Sequence, residues 1–245
     1  GTPLPRNAMY ELCVLLFQSG RLADAEARLQ EGLKQAPGDF AMQNLLGVVL
    51  KNQGRFDEAT AVLEAAHRQE PANLSPIVNL GNIHLARRDG PAAEASFAQA
   101  AQAQPGNPEY QRLLGVALRQ QGKVDAALAR FAEARRLDAR EPRNWIEPAG
   151  MLDEMGRHDE ALALVEEGLA VTPGSRNLCE AKFSLLRRAG RQAAVIAFGE
   201  ALAKQVPDAA WVRIQLARSV MHTDRRLANA HLREAVRLEP DNRDA

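Results

Sequence analysis

Side-chain amides recur along the first half of the chain, and they are the groups best suited to bind a ligand. Asn44, Asn79 and Asn82 each carry an amide that donates and accepts hydrogen bonds at once, as the peptide backbone does. Valines lie between them, at Val48 and Val78. A row of amides can hold the backbone of an extended peptide while apolar residues receive its side chains. Tolerated polar surface residues are the alternative, and the sequence favours neither.

Arginines form a second group of candidate binding residues. Arg112, Arg119 and Arg143 follow the amides along the chain. Because a guanidinium can bind a carboxylate through two parallel N–H bonds, such a series can recognise a partner with acidic segments. A solvated charged face is the alternative for any one of them. The series continues through Arg187, Arg188 and Arg218, and is interrupted by Glu109, Glu147, Asp153, Glu154 and Glu180.

The chain shows no recognisable catalytic or metal-binding pattern. Its histidines offer no pair at metal-ligand spacing on one helix, and its two cysteines form no CxxC motif. No Gly-x-Ser-x-Gly elbow occurs, and the spacing from Gly115 to Gly122 and Lys123 is wrong for a phosphate-binding loop. We therefore expect no metal, no cofactor and no enzymatic activity.

Prolines and glycines repeat at a fixed interval, and this interval identifies the elements that position the candidate residues. The period of 34 residues is kept by Pro3, Pro37, Pro71 and Pro105, by Pro173 and Pro207, and by Gly20, Gly54, Gly122, Gly156 and Gly190. It is typical of a solenoid of helix–turn–helix units. Glycine ends the first helix of a unit because it accepts a left-handed backbone, and proline cannot continue the second helix.

One repeat shows a recognisable pattern of residue types. It contains Gln43-Asn44-Leu45-Leu46-Gly47, then Gly54-Arg55-Phe56-Asp57-Glu58-Ala59 and Leu63-Glu64-Ala65-Ala66, and ends at Pro71. The pattern resembles the tetratricopeptide repeat family, and it recurs as Ile77, Leu80-Gly81, Ala93, Phe97, Ala100 and Pro105. The resemblance implies an all-α solenoid, a right-handed superhelix of antiparallel helix pairs. We expect a single domain over 1–245 with repeats at about 6–39, 40–73, 74–107, 108–141, 142–175, 176–209 and 210–242.

Glycines inside the first helices have a packing role. Gly47, Gly81 and Gly115 are predicted where the two helices of a pair approach closely, because a side chain there would push the backbones apart. In such a stack the first helices line the concave side, so the amides and arginines above are predicted to lie in a groove. Some family members clamp a chaperone's C-terminal carboxylate with lysine and asparagine. Leu113 stands where that clamp needs an amide, so we do not expect it here.

The later repeats depart from the pattern. Pro148 falls where earlier repeats have leucine, so the first helix of repeat five is either kinked or begins late. Neutral drift and a hinge that alters the groove are both open. In repeat six the series Ala194, Phe198, Ala201 is one residue early, and in repeat seven Asp224 replaces the turn glycine.

Composition limits the partners. Lys plus Arg and Asp plus Glu number 31 each, so no long-range field attracts nucleic acid or an acidic membrane. No apolar stretch has the length needed to span a bilayer. Cys13 and Cys179 are interpreted as free packing residues, which is compatible with a reducing compartment and a cytoplasmic location.

These features favour a non-catalytic scaffold that binds a protein or an extended peptide in its groove. The alternative is the substrate-selecting or dimerising region of a larger bacterial enzyme, of glycosyltransferase or sulfotransferase type, because similar arrays precede such domains. An RNA-reading helical repeat is disfavoured by the balanced charge. No polar capping helix follows the last repeat, so we expect a longer native protein and self-association through Leu227, Leu232 and Val236.

Overall fold

A computed structural model describes residues 5–240, and all the regular secondary structure in this range is helical. Fourteen helices form seven pairs within it, as the 34-residue period predicts. The first helices of the pairs are α1 (Arg6–Gln18), α3 (Phe40–Asn52), α5 (Ser75–Ala86), α7 (Pro108–Gln120), α9 (Arg143–Glu154), α11 (Arg176–Arg188) and α13 (Ala210–Val220). The second helices are α2 (Leu22–Gln35), α4 (Phe56–Gln69), α6 (Gly90–Ala103), α8 (Val124–Leu137), α10 (His158–Val171), α12 (Gln192–Gln205) and α14 (Arg225–Leu238).

Contacts divide the helices into two units at the junction of Asp138 and Ala139. Unit 1 contains α1 to α8 and unit 2 contains α9 to α14. The junction falls at Ala139, where the repeat pattern loses its proline. Each unit is described by itself below. The single continuous domain expected from the sequence stays a prediction.

The odd-numbered helices are the more closely spaced layer in each unit. Helix α3 contacts both α1 and α5 in unit 1, and α9 contacts α11 in unit 2. No contact of that extent joins two even-numbered helices of the same unit within the described chain. In a curved stack the closer layer lies on the inner side. We call the side formed by α1, α3 and α5 the inner face of unit 1.

Left-handed residues end the first helices. The five glycines predicted for these turns, Gly20, Gly54, Gly122, Gly156 and Gly190, have φ between 69° and 78°. Repeat three has Arg88 at the same position, with φ of 59°. In repeat seven Asp224 caps α14 instead, because its carboxylate accepts hydrogen bonds from the backbone N–H groups of Arg226 and Leu227. A turn therefore occurs at this repeat position in every pair, even where the residue is not glycine.

Small and large residues oppose each other inside each pair. A Cβ added to Gly81 would lie 2.6 Å from Cε1 of Phe97, which confirms the predicted close approach. Gly47 meets Leu63 and Gly115 meets Phe131 in the same way. These contacts allow the two helices to approach closely in three of the pairs of unit 1.

Repeats five and six fill the same space with other residues. Repeat five has buried Ala149 and Val165 at the positions of the glycine and the large residue. Repeat six reverses the order: Phe183 lies on the first helix, and a Cβ added to Gly199 on the second would lie 3.4 Å from its ring. A larger residue on one helix is thus matched by a smaller one on the other, which keeps the packed volume similar.

Helix α12 corrects the expectation that repeat six is shifted by one residue. Its buried side is formed by Val195, Gly199, Leu202 and Ala203, and not by Ala194, Phe198 and Ala201. These four positions keep the 34-residue period, as do the bounds of the helix. The sequence pattern suggested a shift because α12 has Gly199 where other repeats have a large residue. The large residue of this repeat is Phe183, on α11.

Pro148 lies inside a continuous helix. Helix α9 begins at Arg143, with its first bonds from Trp145 and Ile146 N–H to the carbonyl of Pro142. The alternative of a late start is therefore wrong. Pro148 itself is buried, and its ring nitrogen cannot donate the bond that a helix needs at this position.

Candidate functional site

Two of the predicted amides meet directly on the inner face of unit 1. Nδ2 of Asn79 on α5 donates a hydrogen bond of 3.0 Å to Oδ1 of Asn44 on α3. Both side chains are half-buried. We call them the amide pair. Their separation of 35 residues, one more than the repeat period, places Asn79 diagonally across from Asn44.

The amide pair keeps part of its hydrogen-bonding capacity available. Within residues 5–240 no hydrogen bond engages Nδ2 of Asn44 or Oδ1 of Asn79. One donor and one acceptor therefore remain on adjacent side chains. A peptide unit offers the matching acceptor and donor, so the pair is complementary to an extended backbone.

Asn82 lies one helical turn beyond Asn79 and is half-buried. It interrupts a row of valines, since the same repeat position holds Val14, Val48 and Val116 in the other repeats of unit 1. These valines are half-buried as well. This repeat position is therefore apolar in unit 1 except at Asn82.

The helix that carries Asn44, α3, is anchored at its N-terminus by Asp39. The Asp39 carboxylate caps this helix by accepting from the backbone N–H of Met42 at 3.1 Å, and it forms an ion pair with Arg6 of α1. The Arg6 guanidinium lowers the pKa of Asp39 against the opposing effect of burial, with help from the Met42 N–H. One buried carboxylate thus joins the first two helices of the inner face.

The three predicted arginines lie in different environments. Arg112 is 6 % exposed, and its Nε and Nη2 donate to the two carboxylate oxygens of Glu109 at 2.9 and 2.6 Å. Arg119, also on α7, is half-buried. Arg143 in unit 2 is exposed and donates to Glu141 at 2.8 Å. Their binding role stays a prediction, and two of them already hold a carboxylate of this chain.

Unit 2 contains a buried acid among its charged residues. The Asp153 side chain is 0 % exposed; Nδ1 of His158 lies 2.6 Å from its Oδ1, and Nη1 of Arg188 lies 2.9 Å from its Oδ2. These three residues come from α9, α10 and α11. Asp153 and Arg188, which the sequence suggested for the groove, therefore connect helices of the fold.

The sequence missed two features of these surfaces. It did not predict that Asn44 and Asn79 bond each other, although their spacing of one more than the period is a signal for diagonal contact across two repeats. It also missed Gln215, whose Oε1 accepts from Nη1 of Arg187 at 2.8 Å. A glutamine 28 residues from an arginine fits no repeat interval, so only the structure could reveal this contact.

Other kinds of site were sought in the described range. None of its groups of His, Cys, Asp and Glu could hold a metal ion. None of its helices is long and apolar enough to cross a membrane. Cys13 and Cys179 are free and buried, as expected, and burial raises the pKa of both thiols. Neither thiol is thereby favoured as a nucleophile.

Comparisons with known proteins agree with the repeat pattern. Two tetratricopeptide repeat family models match the chain, one over residues 10–73 and one over residues 51–116. No curated protein matches the chain.

Among solved structures, the chain is similar to a tetratricopeptide repeat protein from Parabacteroides merdae, with a TM-score of 0.62 at 16% identity over 97% of this chain and 94% of that one. It is also similar to pilF of Pseudomonas aeruginosa, with a TM-score of 0.63 at 18% identity over 87% and 95% of the two chains. It is similar as well to a chain of the APC/C hetero-tetramer Cut9-Hcn1, with a TM-score of 0.62 at 15% identity over 94% of this chain and 46% of that one. At such identities the likeness shows the fold.

The two family matches, the helix pairs and these structures lead to one assignment. Residues 10–116 carry tetratricopeptide repeats, and the described helix pairs continue the same solenoid fold.

Proposed function

We propose that this chain is a non-catalytic scaffold, and that it binds an extended segment of a partner protein along the inner face of unit 1. The fold supports a binding role, because a stack of helix pairs presents a long inner surface. One structurally similar chain comes from a hetero-tetramer, so the fold takes part in a protein assembly there.

The amide pair is the observation that carries the proposal. A half-buried polar group with an unmet hydrogen bond costs free energy, so the unused donor of Asn44 and the unused acceptor of Asn79 favour a ligand that pairs with both. Nδ2 of Asn44 can donate to a peptide carbonyl while Oδ1 of Asn79 accepts from a peptide N–H. Their mutual hydrogen bond fixes the orientation of both amides before a ligand arrives, which lowers the entropy lost on binding.

The apolar row beside the amides supplies the second part of the site. Val48 and Val78 are half-buried and lie next to Asn82 and Asn44 in the repeat register. An extended peptide presents alternate side chains to one face. Side chains that point toward unit 1 would then contact the valines, while the peptide backbone bonds the amides.

Selection from a dodecapeptide display library on the immobilised chain provides a probe, and calorimetry on the selected peptide tests the site. The variant Asn44→Ala/Asn79→Ala/Asn82→Ala removes all three amides. Each peptide bond lost from a desolvated site costs about 1–3 kcal/mol, so we expect the affinity to fall at least tenfold. Folding should change little, because both partners of the Asn44–Asn79 bond are removed together.

Glu64→Ala is the matched control, since Glu64 is exposed on the second helix of its pair. It should bind the selected peptide as the wild type does. Equal affinities of the triple variant and the wild type would refute the amide site. A loss confined to Glu64→Ala would place binding on the outer surface instead.

A further inference from the structure

One glutamine of unit 2 bonds one arginine and lies one helical turn from another. Nη1 of Arg187 on α11 donates to Oε1 of Gln215 on α13 at 2.8 Å. Arg218 lies one turn beyond Gln215 on the same helix. The Arg187 guanidinium also lies over the Phe183 ring, 5.9 Å from its centre. The glutamine and the ring together hold Arg187 in place on the side of α11 that faces α13.

Neither Arg187 nor Arg218 has a carboxylate partner among residues 5–240. Five other arginines of unit 2 do: Arg157 pairs with Glu160, Arg176 with Glu180, Arg188 with Asp153, Arg191 with Asp159 and Arg237 with Glu234. Burial lowers the pKa of Arg187, and the charge of Arg218 lowers it further. Two cations are therefore close enough to repel each other, and neither has a carboxylate partner in the described range, so an anion would stabilise them.

The surroundings of this pair add positive charge. Residues 209–240 contain six arginines but only three acidic residues, although the whole chain is neutral. Asp224 is already bonded to the start of α14, and Glu234 is paired with Arg237. These two carboxylates are therefore engaged elsewhere and do not pair with Arg218.

An apolar cavity adjoins the pair. Arg218 lines a cavity of about 510 Å³, together with polar residues such as His222 and Arg225 and apolar residues such as Ile214 and Leu232. Both arginines at this cavity, Arg218 and Arg225, lack an ion-pair partner in the described range. A ligand that combines negative charge with an apolar group would match this arrangement.

We propose that Arg187 and Arg218 form a second binding site, which takes an acidic segment of a partner protein with an apolar residue beside its carboxylates. Each guanidinium can bind a carboxylate through two N–H bonds, and Gln215 orients Arg187 for that contact. A nucleic acid fits less well. Stacking of bases needs open aromatic rings, and Trp211, the aromatic residue of α13, is half-buried beneath Arg176. The inference deepens the proposed scaffold function, but it does not use the amide pair.

A labelled hexaglutamate peptide is the probe, followed by fluorescence anisotropy, with hexaglutamine as the uncharged comparison. We expect Arg187→Gln/Arg218→Gln to bind hexaglutamate at least tenfold more weakly than the wild type. Arg233→Gln is the matched control, because Arg233 is an exposed arginine of α14 that lines neither the pair nor the cavity. It should bind within about twofold of the wild type, since an exposed charge outside the site contributes little.

Thermal denaturation separates loss of the site from loss of the fold. Removing two cations that repel each other should leave the melting temperature of Arg187→Gln/Arg218→Gln unchanged or raised. The variant Asn44→Ala/Asn79→Ala/Asn82→Ala should bind hexaglutamate as the wild type does, so a failure of the amide site leaves this result intact. Equal binding of hexaglutamate by the double variant and by Arg233→Gln would overturn the proposal. Tighter binding of a labelled uridine decamer than of hexaglutamate would also overturn it.

Discussion

Replacing Gly81 with alanine should destabilise the protein, although alanine is the better helix former. The added methyl carbon would lie 2.6 Å from Cε1 and 2.7 Å from Cζ of Phe97. Ordinary contact begins at 3.4 Å, so the ring must retreat by about 0.8 Å. Phe97 is 0 % exposed and has no open space to enter. The close approach therefore has to widen or the ring has to leave its preferred rotamer.

The size of the effect follows from two opposing contributions. Overpacking a core costs about 1–3 kcal/mol, and the helix propensity of alanine returns up to about 1 kcal/mol. We expect Gly81→Ala to lose about 1–2 kcal/mol of unfolding free energy, measured by urea denaturation with circular dichroism.

Gly150→Ala is the matched control. Gly150 also lies inside a first helix, α9, but a Cβ added there meets nothing within 4 Å. Only the propensity contribution remains, so this variant should gain about 0.5–1 kcal/mol. The same substitution thus changes sign with the space around it.

A double-mutant cycle tests the cause. Phe97→Val alone leaves a cavity and should cost about 2–4 kcal/mol. Gly81→Ala/Phe97→Val copies the combination of Ala149 and Val165 in repeat five, and the methyl group then fills part of that cavity. The two changes should therefore couple favourably by at least about 1 kcal/mol. Additive effects, together with a Gly81→Ala variant as stable as the wild type, would refute the close-packing argument.

Other substitutions test further features of the structure. Arg88→Gly should stabilise by about 1 kcal/mol in urea denaturation, since glycine accepts a φ of 59° without strain. Asp39→Asn keeps a helix cap but loses the ion pair with exposed Arg6, and should cost at most about 1 kcal/mol at neutral pH. Because the folded pKa of Asp39 is lowered, that loss should shrink as the pH falls below about 4, where the free carboxyl group protonates. Asp153→Ala removes the buried partner of His158 and Arg188 and should cost about 1–3 kcal/mol by the same denaturation assay, through the lost hydrogen bonds. Leu227 and Val236 are 39 % and 43 % exposed, so Leu227→Glu/Val236→Glu should abolish any self-association seen by sedimentation velocity; unchanged association would place the contact elsewhere.

Much of the fold could be predicted because its constraints are local and repeated. A left-handed turn favours glycine, and a close approach of two helices favours a small residue, so both leave a mark on the sequence every 34 residues. Arg88 is an exception, because it has a left-handed backbone that its residue type does not predict. A left-handed arginine costs only about 1–2 kcal/mol, so a large stack can tolerate it once the neighbouring turns are fixed.

The candidate sites were less predictable because they depend on contacts between repeats. Repeat register places Asn44 and Arg112 at the same position of their helices, yet Asn44 stays half-buried and Arg112 is buried. Arg112 is also bound by Glu109 through both carboxylate oxygens, whereas Asn44 bonds another amide. A position in the repeat indicates a direction for the side chain, but its neighbours decide whether the charge remains available to a partner.

Within each repeat, different residues pack the helix pair and form the inner surface. The surface residues can therefore differ between repeats while the packing stays the same. A pair of helices needs a large residue opposite a small one, and repeats two, five and six meet that need with Gly47 and Leu63, with Ala149 and Val165, and with Phe183 and Gly199. Residues on the inner side, such as Asn82 in its row of valines, take no part in that requirement. Amides in unit 1 and unpaired arginines in unit 2 can therefore coexist on one kind of scaffold. Their different chemistry is the reason to expect that the two units recognise different features of a partner.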